Sequence, residues 1–365
     1  MHTFTFPSEF IKRFTAYLHS DEYIKALPNY AKTEYWKEHS NLINVDISGN
    51  KVTVKGDSGY CIPPLRNKEV VYAMQKANNR FKKTIKSPAS LIPYIKSKIA
   101  SKKQRIKLLD YFEAFDAVMS HDPITDIVPE NKYRLNFIEL TKNPLVVPRI
   151  KEMQERFFAK DKYCLIPMMV NTYYLWNILC GKTNVNKIQS VLEIGAGSGN
   201  FSALLMHYLK PTITIVDLPE TLCLSIPFLA DLFPDANILM PHEAETKQSG
   251  KYDFIFLTPN QLSRIKDNSV DLTTNVFSFQ EMTSKQICEY FDLIKRVNKN
   301  GSYFFTQNRV EKLPLSSQCK DSPVPVRFAE YPWMPSNEIL VYEICSLYRL
   351  ISLSNIYIRL EKIVK

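Results

Sequence analysis

Three of the nine glycines in this 365-residue chain lie within five residues of one another. They are Gly195, Gly197 and Gly199, in the segment VLEIGAGSGNF. Nine glycines are about 2.5% of the chain, against a usual share of roughly 7%, so their clustering indicates backbone that needs glycine. An apolar run precedes them and a helix-like pattern begins at Phe201. The segment predicts a tight turn at the carboxyl end of a strand, where the backbone can approach a ligand closely.

Beyond residue 150, short apolar runs rich in β-branched residues alternate with helix-like patterns. Such alternation is typical of βαβ units, in which parallel strands are covered by helices on both faces. Predicted strands span residues 190–194, 212–216, 252–257, 270–276 and 302–306, and predicted helices span 201–209, 221–233 and 285–297. Two last strand-like segments, 338–345 and 356–363, lack a good crossover helix and suit an antiparallel edge. The predicted fold class is α/β, a doubly wound and mostly parallel sheet.

The glycine spacing distinguishes between kinds of nucleotide site. A dinucleotide site has the pattern G-x-G-x-x-G. Here the pattern is G-x-G-x-G, and Asn200 stands where a dinucleotide site has its third glycine. No GK[ST] follows, so the turn is not a P-loop. The next predicted strand ends at Asp217, eighteen residues after Gly199, where a carboxylate can accept hydrogen bonds from both hydroxyls of a ribose.

The run E-x-G-x-G-x-G, followed by that acid, resembles motif I of the class I S-adenosylmethionine-dependent methyltransferases. The resemblance implies a Rossmann-like sheet and the cofactor S-adenosyl-L-methionine. It also implies that the glycine loop passes the methionine part of the cofactor and that the acid ending the first strand helps to place the ammonium group. The cofactor contacts implied in this way are Glu193, Gly195, Ala196, Gly197, Gly199, Asp217, Leu218 and Asn275.

Adenine should lie against residues that follow the third strand of the sheet. Two segments suit that strand, ANILMPHE and YDFIFLTPNQ. The segment SRIKDNSVDL resembles the segment that usually precedes the fourth strand in this family, which favours YDFIFLTPNQ as the third strand. That choice nominates Thr258, Asn260 and Gln261 as adenine contacts.

The segment after the fourth strand, NVFSFQEM, should hold the acceptor chemistry. It has no [DN]PP[YFW], the pattern of amino methylation on adenine, and no Pro-Cys suited to cytosine. A hydroxyl acceptor is favoured by this elimination. The run SFQEM, then Thr306-Gln307-Asn308-Arg309, then the tripeptide YPW ending at Trp333 resemble a family of bacterial sugar O-methyltransferases over roughly residues 165–365. That resemblance implies methylation of a sugar hydroxyl in surface polysaccharide or glycolipid assembly.

Methylation of a sugar hydroxyl needs a base, because such a hydroxyl is hardly ionised at neutral pH. Glu281 is the first candidate, and His242 is the second because a neutral imidazole suits that role. The alternative role of Glu281 is a helix cap, that of His242 is an exposed loop position, and that of Trp333 is core packing. Asn308 and Arg309 either bind the acceptor or cap the sheet. The predicted substrate contacts are Ser278, Gln280, Asn308, Arg309, Tyr331 and Trp333. No cluster of histidines and carboxylates has metal-ligand spacing, so we expect no required metal.

The first 150 residues read as a mostly helical region, distinct from the methyltransferase domain predicted at 151–365. The segment 43–56 alternates apolar and polar residues around Ser48-Gly49-Asn50, which predicts a β-hairpin. The chain's formal charge of +10 lies almost wholly here, since residues 1–150 hold 24 basic and 15 acidic residues. Residues 66–107 hold 13 basic residues and one acid, which suits an anionic partner or a solvated helix face.

Two other function classes stay open at this stage. One is an RNA methyltransferase that uses the basic stretch 66–107 as its nucleic-acid footprint. The other is a non-catalytic binding protein that keeps the cofactor fold. The seven cysteines are odd in number and widely spaced, which suits a reduced compartment. The amino terminus has no signal-peptide pattern. The uncharged residues 163–181 suit a buried helix better than a membrane span. We therefore expect a soluble cytoplasmic protein.

Overall fold

The structure is a computed structural model that describes residues 2–25, 43–55, 167–244, 250–311, 326–345 and 356–365. All of these except residues 167–177 belong to one compact unit. The described part of that unit contains a sheet of three strands, a sheet of eight strands, and helices. The domain boundary predicted near residue 150 and the basic stretch 66–107 lie outside the described residues.

The small sheet is formed by β1 (His2–Thr5), β2 (Asn44–Ser48) and β3 (Lys51–Lys55), which pair antiparallel in the order β1-β3-β2. The predicted hairpin is confirmed as β2 and β3, and Gly49 in its turn has a φ of +58°. The pairing of β1 with β3 had no signal in the sequence. The described residues between β1 and β2 include the helices α1 (Ser8–Leu18) and α2 (Asp21–Ile24), and α1 buries Phe14 and Tyr17.

The large sheet is formed by β4 (Ser190–Ile194), β5 (Thr212–Val216), β6 (Ile238–Leu239), β7 (Phe254–Leu257), β8 (Val270–Val276), β9 (Asn298–Arg309), β10 (Glu338–Ile344) and β11 (Ile356–Lys362). Its strand order is β10-β11-β9-β8-β4-β5-β7-β6. The six neighbouring strands β9, β8, β4, β5, β7 and β6 are parallel to one another. Strand β11 runs antiparallel to both β9 and β10. The predicted doubly wound, mostly parallel α/β sheet with an antiparallel edge is confirmed.

Strand β4 is the point from which this sheet grows in both directions, with β5 on one side and β8 on the other. In a doubly wound sheet, the helices that follow such a strand and its neighbour leave a crevice at the carboxyl ends of the strands. The glycine cluster directly follows β4, so the topology brings it to this crevice.

Four further helices are α3 (Pro167–Lys182), α4 (Asn200–Leu209), α5 (Pro219–Leu232) and α6 (Ser284–Val297). Helix α5 has proline at its first position, where no backbone N–H is required. Helix α6 begins with a capping box, in which Thr283 accepts from the Gln286 N–H and Gln286 accepts from the Thr283 N–H. Apolar residues at helical spacing then bury one face of α6 against the core.

Both segments proposed for the third strand are strands. YDFIFLTPNQ supplies β7, which pairs with β5 as predicted, and ANILMPHE supplies the short outer strand β6. The uncharged run at 163–181 yields α3, whose Leu175 and Leu179 are buried, in agreement with the predicted buried helix. Among the residues described, no helix is both long and apolar enough to cross a membrane.

Candidate functional site

The glycine turn after β4 has the backbone that its composition predicts. Gly195, Gly197 and Gly199 all have positive φ, at +70°, +58° and +83°, in the left-handed region that side chains disfavour. The Gly195 N–H donates to the Val216 carbonyl, which joins the turn to the end of β5. The Gly199 N–H donates to the Ala196 carbonyl and closes the turn immediately before α4.

Gly195 also lies against the segment that follows β8. A Cβ placed on Gly195 would stand 2.1 Å from Oγ of Ser278 and 2.3 Å from its Cβ. Ser278 is held there by two hydrogen bonds, one to the Ile194 carbonyl at 3.1 Å and one from the Asn275 amide. Glycine is therefore required at 195 by both φ and contact, and the glycine turn and the segment after β8 touch at this point.

Two carboxylates flank the turn inside the crevice. Glu193, in β4, is 2% exposed and accepts a hydrogen bond from the Ser202 hydroxyl on α4. Asp217, directly after β5, is 8% exposed and accepts from the backbone N–H groups of Gly197 at 2.8 Å and Leu218 at 2.7 Å. These N–H groups fix the Asp217 carboxylate beside the glycine turn.

Burial raises the pKa of Glu193 to about 7, although the hydrogen bonds from Ser202 oppose the shift. Burial likewise raises the pKa of Asp217 to about 7, against the two backbone hydrogen bonds that favour its charged form. The negative charge of Glu281 adds to the rise in the pKa of Asp217. Among the described residues, no lysine or arginine pairs with Glu193 or Asp217.

Glu281 ends a single 3₁₀ turn (Phe279–Glu281) between β8 and α6. It lies outside the α6 capping box, which Thr283 and Gln286 make between them. The capping role that was its alternative is thus taken by other residues. Glu281 follows by three residues the Ser278 side chain that lies against Gly195, and its charge raises the pKa of Asp217.

The predicted contacts Asn275, Asn308 and Gln280 form one hydrogen-bonded network at the ends of β8 and β9. The Asn275 amide donates to the Ile194 carbonyl and to Ser278, and its oxygen accepts from Asn308 and from the Phe279 N–H. Asn275 is fully buried, and these four bonds use all of its donor and acceptor positions. A direct hydrogen bond from its side chain to a cofactor would break one of them.

Asn308 and Gln280 complete this network. Asn308 accepts from the Gln280 N–H at 3.2 Å, and the Gln280 side chain accepts from the Arg309 N–H at 2.8 Å. These two hydrogen bonds join the 3₁₀ turn that carries Glu281 to the end of β9. Their predicted contacts with substrate stay predictions, as does that of the half-buried Arg309 side chain.

The residues nominated for adenine follow β7 and differ among themselves. Thr258 and Gln261 are buried, and Gln261 accepts from the Thr258 N–H and donates to the Pro241 carbonyl. These bonds connect the turn after β7 to the turn after β6. Asn260, between them, is exposed. An adenine contact at these three positions stays a prediction.

Three other predicted site residues lie in packed surroundings. The ring of His242 stacks on that of Tyr17, with 6.3 Å between centroids, so it faces the amino-terminal helices. Tyr331 and Trp333 belong to an aromatic cluster with Phe279, Phe291, Phe304 and Phe328. The Trp333 indole donates to the Phe328 carbonyl. For Trp333 this packing matches the core role that was its alternative.

Sequence reasoning missed several residues of the site. Ser202 binds Glu193 from the next helix, and no motif distinguishes it from other helical serines. Phe277 has a φ of +62°, an uncommon conformation for a bulky residue, directly after β8. Tyr17 approaches the start of α5 from the amino-terminal helices. Among the described residues, no group of three or more His, Cys, Asp and Glu side chains is placed to hold a metal ion.

No protein-family model matches the chain, and no curated protein matches it. Similar solved structures include a candidate sarcosine dimethylglycine methyltransferase of Galdieria sulphuraria, at 13% identity over 53% of this chain and 84% of that one, with a TM-score of 0.38. The [4+2]-cyclase SpnF matches at 13% identity over 53% and 81%, with a TM-score of 0.37. Geranyl diphosphate C-methyltransferase of Streptomyces coelicolor matches at 11% identity over 53% and 74%, also with a TM-score of 0.37. Likeness at this level says nothing about the substrate of this chain.

Proposed function

We propose that this chain is an S-adenosylmethionine-dependent methyltransferase that methylates a sugar hydroxyl, in the cytoplasmic assembly of surface polysaccharide or glycolipid. One observation carries the proposal. A glycine turn in the left-handed region closes over the end of β4, with the Asp217 carboxylate held by N–H groups on one side of it and Glu281 nearby.

The residues around the turn fit this cofactor. S-adenosylmethionine is a cation at its sulfonium and at its ammonium group, and the crevice offers two buried carboxylates that no described lysine or arginine neutralises. A bound cation would supply the positive partner that Glu193 and Asp217 lack among the described residues. The side-chain oxygen of Asn200 is buried without a hydrogen-bond donor among the described residues, at the first position of α4. It is a further acceptor for a ligand at the turn.

In this assignment each residue has one task. Glu193 holds the ammonium group, Asp217 accepts from the ribose hydroxyls, and the glycine turn lets the backbone approach the ligand. When bound, the cofactor supplies a methyl group on a positively charged sulfur. Glu281 would take the proton of the acceptor hydroxyl while the hydroxyl oxygen receives the methyl group that the bound cofactor would supply.

The choice of a sugar hydroxyl has two supports. The segment after β8 lacks the sequence patterns of adenine and cytosine methylation. The run SFQEM, which carries the resemblance to sugar O-methyltransferases, is the same segment that contacts Gly195 and presents Glu281. The YPW tripeptide supports the choice less, because Tyr331 and Trp333 pack in the aromatic cluster.

A methyl-transfer assay tests the proposal. Purified protein is incubated with S-adenosylmethionine labelled in its methyl group, together with fractionated polysaccharide, glycolipid or RNA, and the labelled fraction is identified. We expect label in a glycan hydroxyl. Label in RNA would overturn the sugar assignment, and binding of cofactor without transfer to any fraction would favour a non-catalytic protein.

The role of Glu281 has its own test. Glu281→Gln should bind S-adenosylhomocysteine as the wild type does and lose turnover by about 100-fold or more, the usual contribution of a general base. Glu289→Gln, an exposed position on α6, is the matched control and should leave turnover unchanged. Full turnover by Glu281→Gln would exclude it as the base.

A further inference from the structure

The amino-terminal helices lie against the part of the large sheet that leads into the candidate cofactor site. Arg13 on α1 forms two hydrogen bonds with the carboxylate of Glu243, at 2.7 and 2.8 Å, and a third with the Ile238 carbonyl. Glu243 ends a 3₁₀ turn after β6 and is buried. A paired, mostly buried arginine of this kind holds α1 in one position on the sheet.

Tyr17, one turn further along α1, is fully buried. Its hydroxyl donates to the Pro219 carbonyl at 3.0 Å. Pro219 is the first residue of α5, two positions after Asp217.

The first turn of α5 sets the position of the Asp217 carboxylate. Leu218, the residue immediately before α5, donates its N–H to one carboxylate oxygen, while Gly197 donates to the other. Both flanks of Asp217 are therefore anchored, one by the glycine turn and the other by the start of α5. The start of α5 is in turn held by the hydrogen bond from the Tyr17 hydroxyl on α1 to the Pro219 carbonyl.

We propose that the amino-terminal helix α1 is part of the cofactor site and that Tyr17 is a positioning residue for Asp217. The inference rests on the proposed function, since it assigns Tyr17 to the site where S-adenosylmethionine would bind. It predicts that an intact amino-terminal segment is needed for full cofactor affinity, although no residue of that segment belongs to the glycine motif.

The test is the affinity of the full chain for S-adenosylhomocysteine, measured by titration calorimetry. Tyr17→Phe keeps the ring and removes one buried hydrogen bond, so we expect about 3- to 10-fold weaker binding. Thr3→Val is the matched control, because it removes a hydrogen bond between the Thr3 and Thr53 hydroxyls within the small sheet. Its affinity should equal that of the wild type.

A double mutant distinguishes positioning from general loosening. If Tyr17 acts through the Asp217 carboxylate, the Tyr17→Phe loss should shrink to within 2-fold when it is measured in an Asp217→Asn background. Wild-type affinity in Tyr17→Phe would overturn the inference, and so would an equal loss in Thr3→Val or an undiminished loss in the Asp217→Asn background. Failure of the wild type to bind would instead overturn the proposed function on which the inference rests.

Discussion

Replacement of Gly195 by alanine tests the contact between the glycine turn and Ser278 in the segment after β8. The added methyl group meets Ser278 at 2.1 Å from Oγ, far inside van der Waals contact. It also meets the φ of +70° at that position. Ser278 can move only by giving up its hydrogen bonds to the Ile194 carbonyl and from the Asn275 amide.

The size of the effect follows from these two terms. Left-handed backbone costs a non-glycine residue about 1–2 kcal/mol. Loss of two buried hydrogen bonds costs about 1 kcal/mol each. Gly195→Ala should therefore lower the free energy of unfolding by about 3–4 kcal/mol, and it should weaken S-adenosylhomocysteine binding because the loop must move.

Chemical denaturation and calorimetry measure the two quantities, and two variants separate the terms. Gly301 has a φ of +77° with no atom within 4 Å of an added Cβ, so Gly301→Ala should cost the backbone term alone, about 1–2 kcal/mol. Ser278→Gly removes the clashing atoms together with the same hydrogen bonds. Adding Ser278→Gly to Gly195→Ala should therefore lower the free energy of unfolding by at most about 1 kcal/mol more, which is the cost of the added glycine.

Two results would refute this reasoning. One is a Gly195→Ala variant no less stable than Gly301→Ala, which would mean that the Ser278 contact costs nothing. The other is strict additivity of Gly195→Ala and Ser278→Gly, which would mean that the two residues are not in contact.

Further predictions concern pH and the buried ion pair of the antiparallel edge. Because the pKa values of Glu193 and Asp217 are raised to about 7, folding favours their protonated forms, and the apo protein should lose stability as the pH rises from about 4 to 7. In the proposed site the ammonium group of S-adenosylhomocysteine lies against Glu193 and favours the charged form of that carboxylate, so affinity should rise with pH up to about 7 with proton release. A calorimetric affinity that is flat with pH would contradict this. Arg359 pairs with the fully buried Glu361 and stacks on Trp333. Because Arg359→Met leaves the Glu361 carboxylate buried without its arginine, it should lower the free energy of unfolding by about 3–5 kcal/mol in chemical denaturation. A loss of less than about 1 kcal/mol would contradict the pairing.

The sequence predicts most of the large sheet because most of its strands are short apolar runs, whereas β9 (Asn298–Arg309) extends beyond the predicted 302–306 at both ends. The strands at 190–194, 212–216 and 270–276 have the predicted bounds, and the helices differ from the predicted spans by at most two residues at an end. The glycine turn is equally predictable, since its spacing and its place after a strand express a local backbone requirement. These features depend on residues that are close together in the chain.

Contacts between distant segments leave no such pattern. Tyr17 meets Pro219 across about 200 residues, and an isolated tyrosine in an amphipathic helix looks like any core residue. Asn275 and Asn308, at the carboxyl ends of β8 and β9, were predicted to bind ligand from the resemblance to methyltransferases. In the structure Asn275 and Asn308 hydrogen-bond to each other, to the backbone and to the hydroxyls of Ser278 and Thr306, and these partners are set by tertiary packing.

Calorimetric titration of the full chain with S-adenosylhomocysteine, for the wild type and for Asp217→Ala, tests the central claim most directly. Loss of the carboxylate removes the acceptor for the ribose hydroxyls and leaves the Gly197 and Leu218 N–H groups without their partner. The account predicts saturable one-to-one binding by the wild type and at least about 100-fold weaker binding by a folded Asp217→Ala variant, since hydrogen bonds to a charged group contribute roughly 1.5–3 kcal/mol each. Absence of binding by the wild type, or undiminished binding by Asp217→Ala, would contradict it.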